Sequence, residues 1–402
     1  MISLKNAPRW LSVANALTGA LFWLPVLMLF YGYKGVSMGD FFLIQGIASL
    51  MVFVLEVPSG YIGDIFSRKN TVVIGILAYA IGQIVWIFGY GFWCILLGEI
   101  IFSTAISLIS GTLDAYFYDL LKKRRKEGAY HRKYAKMNMF QNLVLAISCF
   151  TGAFFYQFYG PLVPVVLTLI CMVAALLICL MLPDVPESKR VVEENKSKWK
   201  DILDISKFAI KHSEIKWLML FPAIYGLLTF ILLWGLQSVM IVRDLPIFVF
   251  SLVIGINAVM RSGWSSVSGF ILEKFSLSGS IKLQCLIIVA AMLSACVAEY
   301  VSVFGVYLCL GMMIVGCSSI VCTQISTSVL INHRIKSQER ATVLSVSSMI
   351  NRLFWGVGLL CLKPLFEEMG IAKAFMSMSL LLIPLLVCGY NLYRMKLSTL
   401  KS

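Results

Sequence analysis

Twelve long apolar segments constrain the fold of this chain more than any other feature. They lie at about 10–32, 38–60, 71–92, 94–119, 137–159, 160–182, 216–241, 246–272, 281–300, 303–332, 340–362 and 370–393. A helix that crosses a bilayer needs about 20 consecutive, mostly apolar residues. The sequence therefore predicts an all-α membrane protein with twelve transmembrane helices.

The composition excludes the main alternatives to this fold class. Hydrophobic residues make up 59% of the chain and charged residues 13%, against about 45–50% and about 25% in soluble domains. The apolar segments are continuous, whereas the strands of a membrane β-barrel alternate over about 10 residues. The 11 cysteines lie in apolar segments without CxxC spacing, so we expect packing residues and neither a metal site nor a cofactor.

A polar stretch divides the twelve segments into two sets of six. The sequence therefore predicts an N-terminal six-helix bundle at 1–182, a linker at 183–215 and a C-terminal six-helix bundle at 216–402. A short repeat relates the two bundles, because glycine, an acid, Phe and Ser of 60–67 recur in 269–276 at a constant offset of 209. Parallel six-helix repeats of this kind are typical of secondary transporters.

The basic residues indicate an orientation in the membrane. Of the 34 Lys and Arg residues, 28 fall in the termini, the linker and the loops that alternating spans would place on one side. Loops on the cytoplasmic side of membrane proteins carry this excess of cations. We therefore expect both termini to be cytoplasmic, in a bacterial inner membrane, and we interpret the net charge of +14 as topogenic rather than as a nucleic-acid site.

The loop after the second segment carries a family resemblance. It reads Gly60-x3-Asp64-x3-Arg68-Lys69 and resembles the signature loop of the major facilitator superfamily (MFS). With twelve segments and a central linker, the resemblance covers the whole chain. It implies the MFS fold, two pseudo-symmetric six-helix halves that move a solute by alternating access. Two further stretches, 110–120 and 332–345, resemble a bacterial subgroup often labelled drug exporters.

Some positions differ from the pattern of drug–proton antiporters in that superfamily. Ser67 stands where the signature loop usually has glycine. The fourth segment offers Glu99 where such antiporters often carry arginine, and the fifth has Thr151-Gly152 without a Gly-Pro pair.

The resemblance also implies a conformational latch at the signature loop. Its expected members are Gly60, Asp64, Arg68, Lys69, Asp119 and Arg340. Asp64 would accept hydrogen bonds from the N-terminus of the eleventh span, which begins near Arg340, since that end carries partial positive charge. Arg68 would pair with Asp64 or with Asp119. Such contacts would hold one transport state and break in the other; a plain turn with surface charges remains the alternative.

Ionisable groups inside spans are costly and by default indicate a functional site or a pair. Glu99, Asp114 and Glu56 are the candidates for proton coupling. For Asp114 and Asp119, the alternative is that each is a structural partner of loop cations. Arg261 and Arg352 lie near the middle of their spans; they either bind an anionic substrate or hold helices together.

The candidate substrate-binding residues combine arginines, amides and aromatic rings. They are Arg261, Arg352, Asn257, Asn351, Asn15, Gln45, Tyr225, Trp234, Gln237 and Gln324, with Trp23 as a further cavity candidate. Aromatic side chains with a few amides suit a pocket for an amphipathic organic solute, although most such residues in a membrane protein serve packing.

Three functions remain open from the sequence. The first is proton-driven export of a small organic compound. The second is import or export of an anionic metabolite, such as a carboxylate or a carboxylate-type siderophore. The third is a sensor or lipid-handling protein on the same scaffold. We expect a monomer without enzymatic activity, and the chain has no G-x4-G-K-[ST] loop for ATP.

Overall fold

The computed structural model describes residues 2–65, 67–185, 213–334 and 337–394, and most of this backbone is helical. The α-helices of the described part before residue 186 are α1 (Ala7–Thr18), α2 (Leu27–Tyr33), α3 (Met38–Ile65), α4 (Arg68–Phe88), α5 (Gly91–Ile109), α6 (Thr112–Lys122), α7 (Tyr130–Tyr159) and α8 (Val163–Met181). Those after residue 212 are α9 (Ser213–Val242), α10 (Ile247–Val297), α11 (Val303–Ser318), α12 (Ile320–Arg334), α13 (Ser337–Leu360), α14 (Leu362–Met369), α15 (Ile371–Ser379) and α16 (Leu382–Arg394).

The prediction of an all-α membrane fold is confirmed. In the described part, 11 stretches of helix are long and apolar enough to cross a membrane. The sequence predicts twelve such segments. The one at 10–32 is not among the 11, because its helix is interrupted. A layout of twelve membrane segments in two halves is consistent with this result.

The first membrane segment consists of two helices with a break between them. Helix α1 ends at Thr18, and regular helix resumes only with a short 3-10 helix at Leu24–Val26, followed by α2. Pro25 explains the break, because its nitrogen has no hydrogen to donate and its ring would clash with the carbonyl of Leu21 in a continuous helix. The N–H of Phe22, which lies in the break beyond the end of α1, donates to the hydroxyl of Thr168 on α8 at 3.2 Å.

Helix α10 differs from expectation in the opposite way. The sequence predicts two segments, 246–272 and 281–300, with a turn between them near Lys274. In the structure the backbone is helical from Ile247 to Val297. The intervening residues include no proline, so their polarity alone does not end the helix.

The chain separates into two compact units. The first comprises Met1–Asn195 and Pro246–Gly255, and the second comprises Lys196–Leu245 and Ile256–Ser402. In the first unit α4 packs on α5 and α8, while α1 packs on α7 and α8. In the second, α9 is central and packs on α11, α12, α13 and α16. Most of the predicted linker at 183–215 lies outside the described residues, so the boundaries of the two bundles stay a prediction.

Candidate functional site

A buried carboxyl group defines the candidate site of the first unit. Glu99 lies on α5 with only 3% of its surface exposed. Its Oε1 accepts a hydrogen bond from the hydroxyl of Tyr31 on α2. The same oxygen accepts a second hydrogen bond from Nε2 of Gln45 on α3, at 2.8 Å. Three helices therefore meet at this one acid, which we call the Glu99 site.

The broken first segment contributes the donor Tyr31. Its ring packs edge-on against Phe41, with centroids 5.3 Å apart, and against Trp86, at 5.8 Å. These rings surround the phenol and hold its hydroxyl towards α5. Because α2 follows the break that begins after Thr18, its direction is not tied to that of α1.

Several buried polar atoms beside the Glu99 site have no hydrogen-bond partner within the described part of the chain. They are Nε1 of Trp23, Nε1 of Trp86, and both Oε1 and Nε2 of Gln83. The rings of Trp23 and Trp86 touch, with centroids 5.3 Å apart. Tyr79, one turn before Gln83, is close enough to interact electrostatically with Glu99. Buried polar groups are normally satisfied by protein or by ordered water, so these atoms are capable of binding water or a polar solute.

Burial and hydrogen bonding act on the charge of Glu99 in opposite directions. Within the described residues Glu99 forms no ion pair. Burial penalises the charged form, whereas hydrogen bonds from Tyr31 and Gln45 favour it.

The other two acidic candidates have different surroundings. Asp114 lies on α6, beyond a break at Gly111, whose φ of +75° is one that favours glycine. Its carboxylate accepts a hydrogen bond from the hydroxyl of Tyr134 on α7, at 2.7 Å. Glu56 is half-buried on α3, and its backbone carbonyl accepts from Ser59. The described hydrogen bonds of Glu99, to Tyr31 and Gln45, involve neither of these two acids.

The signature loop makes its described contacts inside the first unit. Arg68 pairs with Asp119 at 2.5 Å, which is one of its two expected partners. Lys69 donates to the carbonyl of Leu180 at 3.1 Å, where the C-terminal end of α8 favours a cation. The side chains of Asp64 and Arg340 lie outside the description, and Gly60 is described only as helical backbone. The role of these residues as a latch therefore stays a prediction.

An aromatic cluster lies beside Arg352, one of the two intramembrane arginines of the second unit. The guanidinium carbon of Arg352 lies 5.0 Å from the ring centre of Trp355. That ring stacks on Phe230, with centroids 4.8 Å apart and planes 17° apart, and Trp234 meets Phe230 edge-on at 5.9 Å. Next to Arg352, Oδ1 of Asn351 is buried without a partner among the described residues. A cation, aromatic rings and an amide of this kind suit an organic ligand.

The other arginine is placed differently. Arg261 on α10 is exposed, whereas Asn257, one turn earlier, is 4% exposed. Oδ1 of Asn257 has no hydrogen-bond partner within the described residues. A shared anion site formed by Arg261 and Arg352 therefore stays a prediction.

The remaining candidate substrate-binding residues lie in different parts of the structure. Tyr225 is fully buried and shares a 2.6 Å hydrogen bond with Ser319, which indicates a link between helices. Gln237 is also fully buried, and Gln324 is half-buried. In the first unit, Nδ2 of Asn15 is buried without a partner among the described residues.

Sequence reasoning missed three residues of the Glu99 site. Tyr31, Gln83 and Trp86 were not among its candidates. A signal for Gln83 exists, because an amide in the middle of an apolar span is unusual. Nothing in the sequence distinguishes Tyr31 or Trp86 from the other aromatic residues in the spans.

Comparison with known proteins agrees with the fold. The family model described as "Major Facilitator Superfamily" matches residues 10–359, and the chain belongs to this family of membrane transporters of small solutes. The drug-exporter subgroup is not identified by this match.

Individual relatives are distant. The chain is 23% identical to an uncharacterised transporter of Buchnera aphidicola subsp. Acyrthosiphon pisum (strain APS) over 167 residues, which are 40% of this chain and 38% of that protein. A mutant of the nucleoside transporter NupG has a similar structure, with a TM-score of 0.78, 17% identity, and coverage of 97% of this chain and 100% of that one. The human organic anion transporter MFSD10 (TETRAN) gives a TM-score of 0.63 and 15% identity, with coverage of 98% of this chain and 100% of that one. These structural similarities show the fold alone.

Proposed function

We propose that this protein is a proton-coupled secondary carrier that exports a small organic solute, with Glu99 as the proton-binding residue. The observation that carries the proposal is the buried carboxyl group of Glu99, held by Tyr31 and Gln45. An intramembrane acid without a counter-ion is costly to keep in a span unless its protonation has a use.

The unsatisfied groups beside Glu99 support a route for the proton. The indoles of Trp23 and Trp86 and the amide of Gln83 offer donors and an acceptor in one buried region. A few ordered waters would satisfy these atoms and connect Glu99 to other polar groups. Water chains of this kind carry protons without requiring further acidic side chains.

The proposed location and orientation rest on charge. Cations concentrate on one predicted face of the membrane, as expected when both termini are cytoplasmic in a bacterial inner membrane. With this orientation α1 begins on the cytoplasmic side. We assign the protein to the antiporters on the subgroup resemblance of 110–120 and 332–345, and we expect it to act as a monomer.

Proteoliposome transport under an imposed pH gradient tests the proposal. We expect wild-type protein to move a drug-like organic solute only with the gradient, and Glu99→Gln to remove the dependence on the gradient. Glu56→Gln and Asp114→Asn test the competing acids, and Glu368→Gln on the surface of α14 is the control. Gradient-driven transport that persists in Glu99→Gln would rule out Glu99 as the coupling residue.

The second candidate function is transport of an anionic metabolite or carboxylate-type siderophore. It is favoured by the guanidinium of Arg352, which packs on Trp355 next to the unpartnered amide oxygen of Asn351. Arginine binds carboxylates through two parallel hydrogen bonds. Binding of citrate to the purified protein, compared with Arg352→Gln and Arg261→Gln, separates the two functions. Unchanged citrate binding in both variants would exclude the arginines as anion ligands.

A further inference from the structure

A groove runs between α1 and α7 in the first unit, away from the Glu99 site. Its volume is about 990 Å³. Five basic side chains line it: Lys5, Arg9, Arg124, Lys133 and Lys136. Among the described residues that line the groove, none is acidic.

The cations of the groove lack opposite charges in the described structure. None of the five forms an ion pair with a described residue. Arg124 and Lys133 are half-buried, and Lys133 is repelled by Arg124, Lys126 and Arg132 nearby. Like charges held together at a partly buried surface attract an anion, which would relieve this repulsion.

The rest of the groove is apolar and exposed. On α1, Trp10 and Val13 are each 44% exposed, and on α7 Phe140 is 41% and Leu143 54% exposed. One turn beyond Leu143 on the same helix, Ile147 is 54% exposed. The cations therefore lie at one end of a continuous apolar surface that follows a membrane-spanning helix.

We propose that this groove binds an anionic phospholipid. The phosphate of the headgroup lies among Arg124, Lys133 and the other cations, and an acyl chain lies along the apolar face of α7. A free phosphate would use the cations but leave the apolar surface uncovered, and a neutral lipid would leave the like charges unopposed. An anionic lipid of the bilayer supplies both the phosphate that the cations attract and the acyl chain that covers the apolar surface. The proposal does not depend on the solute that the protein carries.

Native mass spectrometry of the detergent-purified full chain tests the proposal. We expect dioleoyl phosphatidylglycerol to bind at least about tenfold more tightly than dioleoyl phosphatidylcholine, since each cation near an anionic headgroup contributes appreciably. The double variant Arg124→Gln/Lys133→Gln should lose this preference. The control is Lys122→Gln/Lys123→Gln, which removes the same charge from exposed positions in the same region and should keep it.

The comparison of the two lipids uses only wild-type protein and therefore does not depend on how the variants fold. Equal binding of both lipids would overturn the proposal. So would an unchanged preference for phosphatidylglycerol in the Arg124→Gln/Lys133→Gln variant. Inorganic phosphate and glycerol 3-phosphate are added as competitors; displacement of the lipid by either at equal concentration would show a site for a free anion and would also overturn it.

Discussion

The hydroxyl of Tyr31 donates a hydrogen bond to the carboxyl group of Glu99, and the two residues are 68 positions apart in the chain. Tyr31 is fully buried and Glu99 nearly so. This contact joins the second piece of a broken membrane helix to the middle of α5. It gives the proposed proton site a donor that responds to any movement of α2.

Replacing Glu99 separates its charge from its role as a hydrogen-bond acceptor. Glu99→Ala leaves the buried donors of Tyr31 and Gln45 without their acceptor, and we expect a loss of about 2–5 kcal/mol in the free energy of unfolding. Glu99→Gln keeps an acceptor oxygen and should cost less than about 1 kcal/mol. Unfolding in detergent measures both. Equal losses would mean that the carboxylate charge, not the acceptor, stabilises the site.

Thr168 is expected to stabilise the break in the first membrane segment. Thr168→Val removes the hydroxyl that accepts from the N–H of Phe22 while keeping the shape of the side chain. An unsatisfied buried amide costs about 1–3 kcal/mol, which thermal unfolding would detect. Thr151→Val is the matched control, because Thr151 bonds only to carbonyls of its own helix among the described contacts. Equal stability of both variants would contradict this role.

Gly152 allows α7 to approach the broken segment. A Cβ atom added there would lie 2.0 Å from the carbonyl oxygen of Phe22, so Gly152→Ala requires the backbone to move. Overpacking of this kind costs typically about 1–3 kcal/mol. Gly311→Ala on α11 meets nothing within 4 Å and should be neutral or stabilising because alanine favours helix. Similar melting temperatures for the two variants would refute the close approach.

The pair formed by Arg68 and Asp119 should show measurable coupling. Arg68 begins α4, where a cation opposes the helix dipole, so Asp119 offsets an unfavourable position. Both side chains are about one-fifth exposed, at 20% and 18%. A double-mutant cycle of Arg68→Gln and Asp119→Asn should give a coupling of about 1 kcal/mol. Strict additivity would show that the contact contributes nothing to stability.

Lys34 should make stability depend on alkaline pH. Its ammonium donates to the carbonyl of Ile87 at 2.7 Å and lies 4.1 Å from the ring centre of Tyr90. Burial lowers the pKa of Lys34 below its usual 10.5, so the unfolded chain binds more protons between the two pKa values. Stability contributed by Lys34 therefore rises with pH through that interval, and it is lost as the pH falls through the folded pKa.

The melting temperature of wild type relative to Lys34→Met should accordingly increase as the pH rises through the interval between the folded and unfolded pKa values of Lys34. Lys373→Met at an exposed position corrects for general effects of alkaline pH. A constant difference between wild type and Lys34→Met across this range would contradict the prediction.

Hydropathy predicted the membrane segments because burial in lipid imposes one rule on every span. Hydropathy did not predict the break in the first segment, because Leu21, Phe22 and Trp23 are as apolar as the residues of an uninterrupted membrane helix. Pro25 was the available signal, but the form of the break also depends on partners for its backbone groups, such as Thr168 for the N–H of Phe22. That partner belongs to another helix and is set by tertiary packing.

The candidate site was predictable only in part for the same reason. Glu99 stood out as an acid inside a span, and Asp119 was one of two expected partners of Arg68. Gln45 was assigned to a substrate cavity, whereas the structure places its amide on Glu99. The contact of Glu99 with Tyr31 joins positions distant in sequence, and no local pattern determines which of many aromatic residues provides the donor.

The break at Phe22 also has a consequence for biosynthesis. Its partner Thr168 is 146 residues further along the chain, so the ribosome completes six later helices, α2 to α7, before the hydroxyl exists. Until then the N–H of Phe22 has to be hydrated or shielded by the insertion machinery, because lipid offers it no acceptor. The first segment therefore reaches its final form late, when α8 arrives, and the order of synthesis differs from the order of completion.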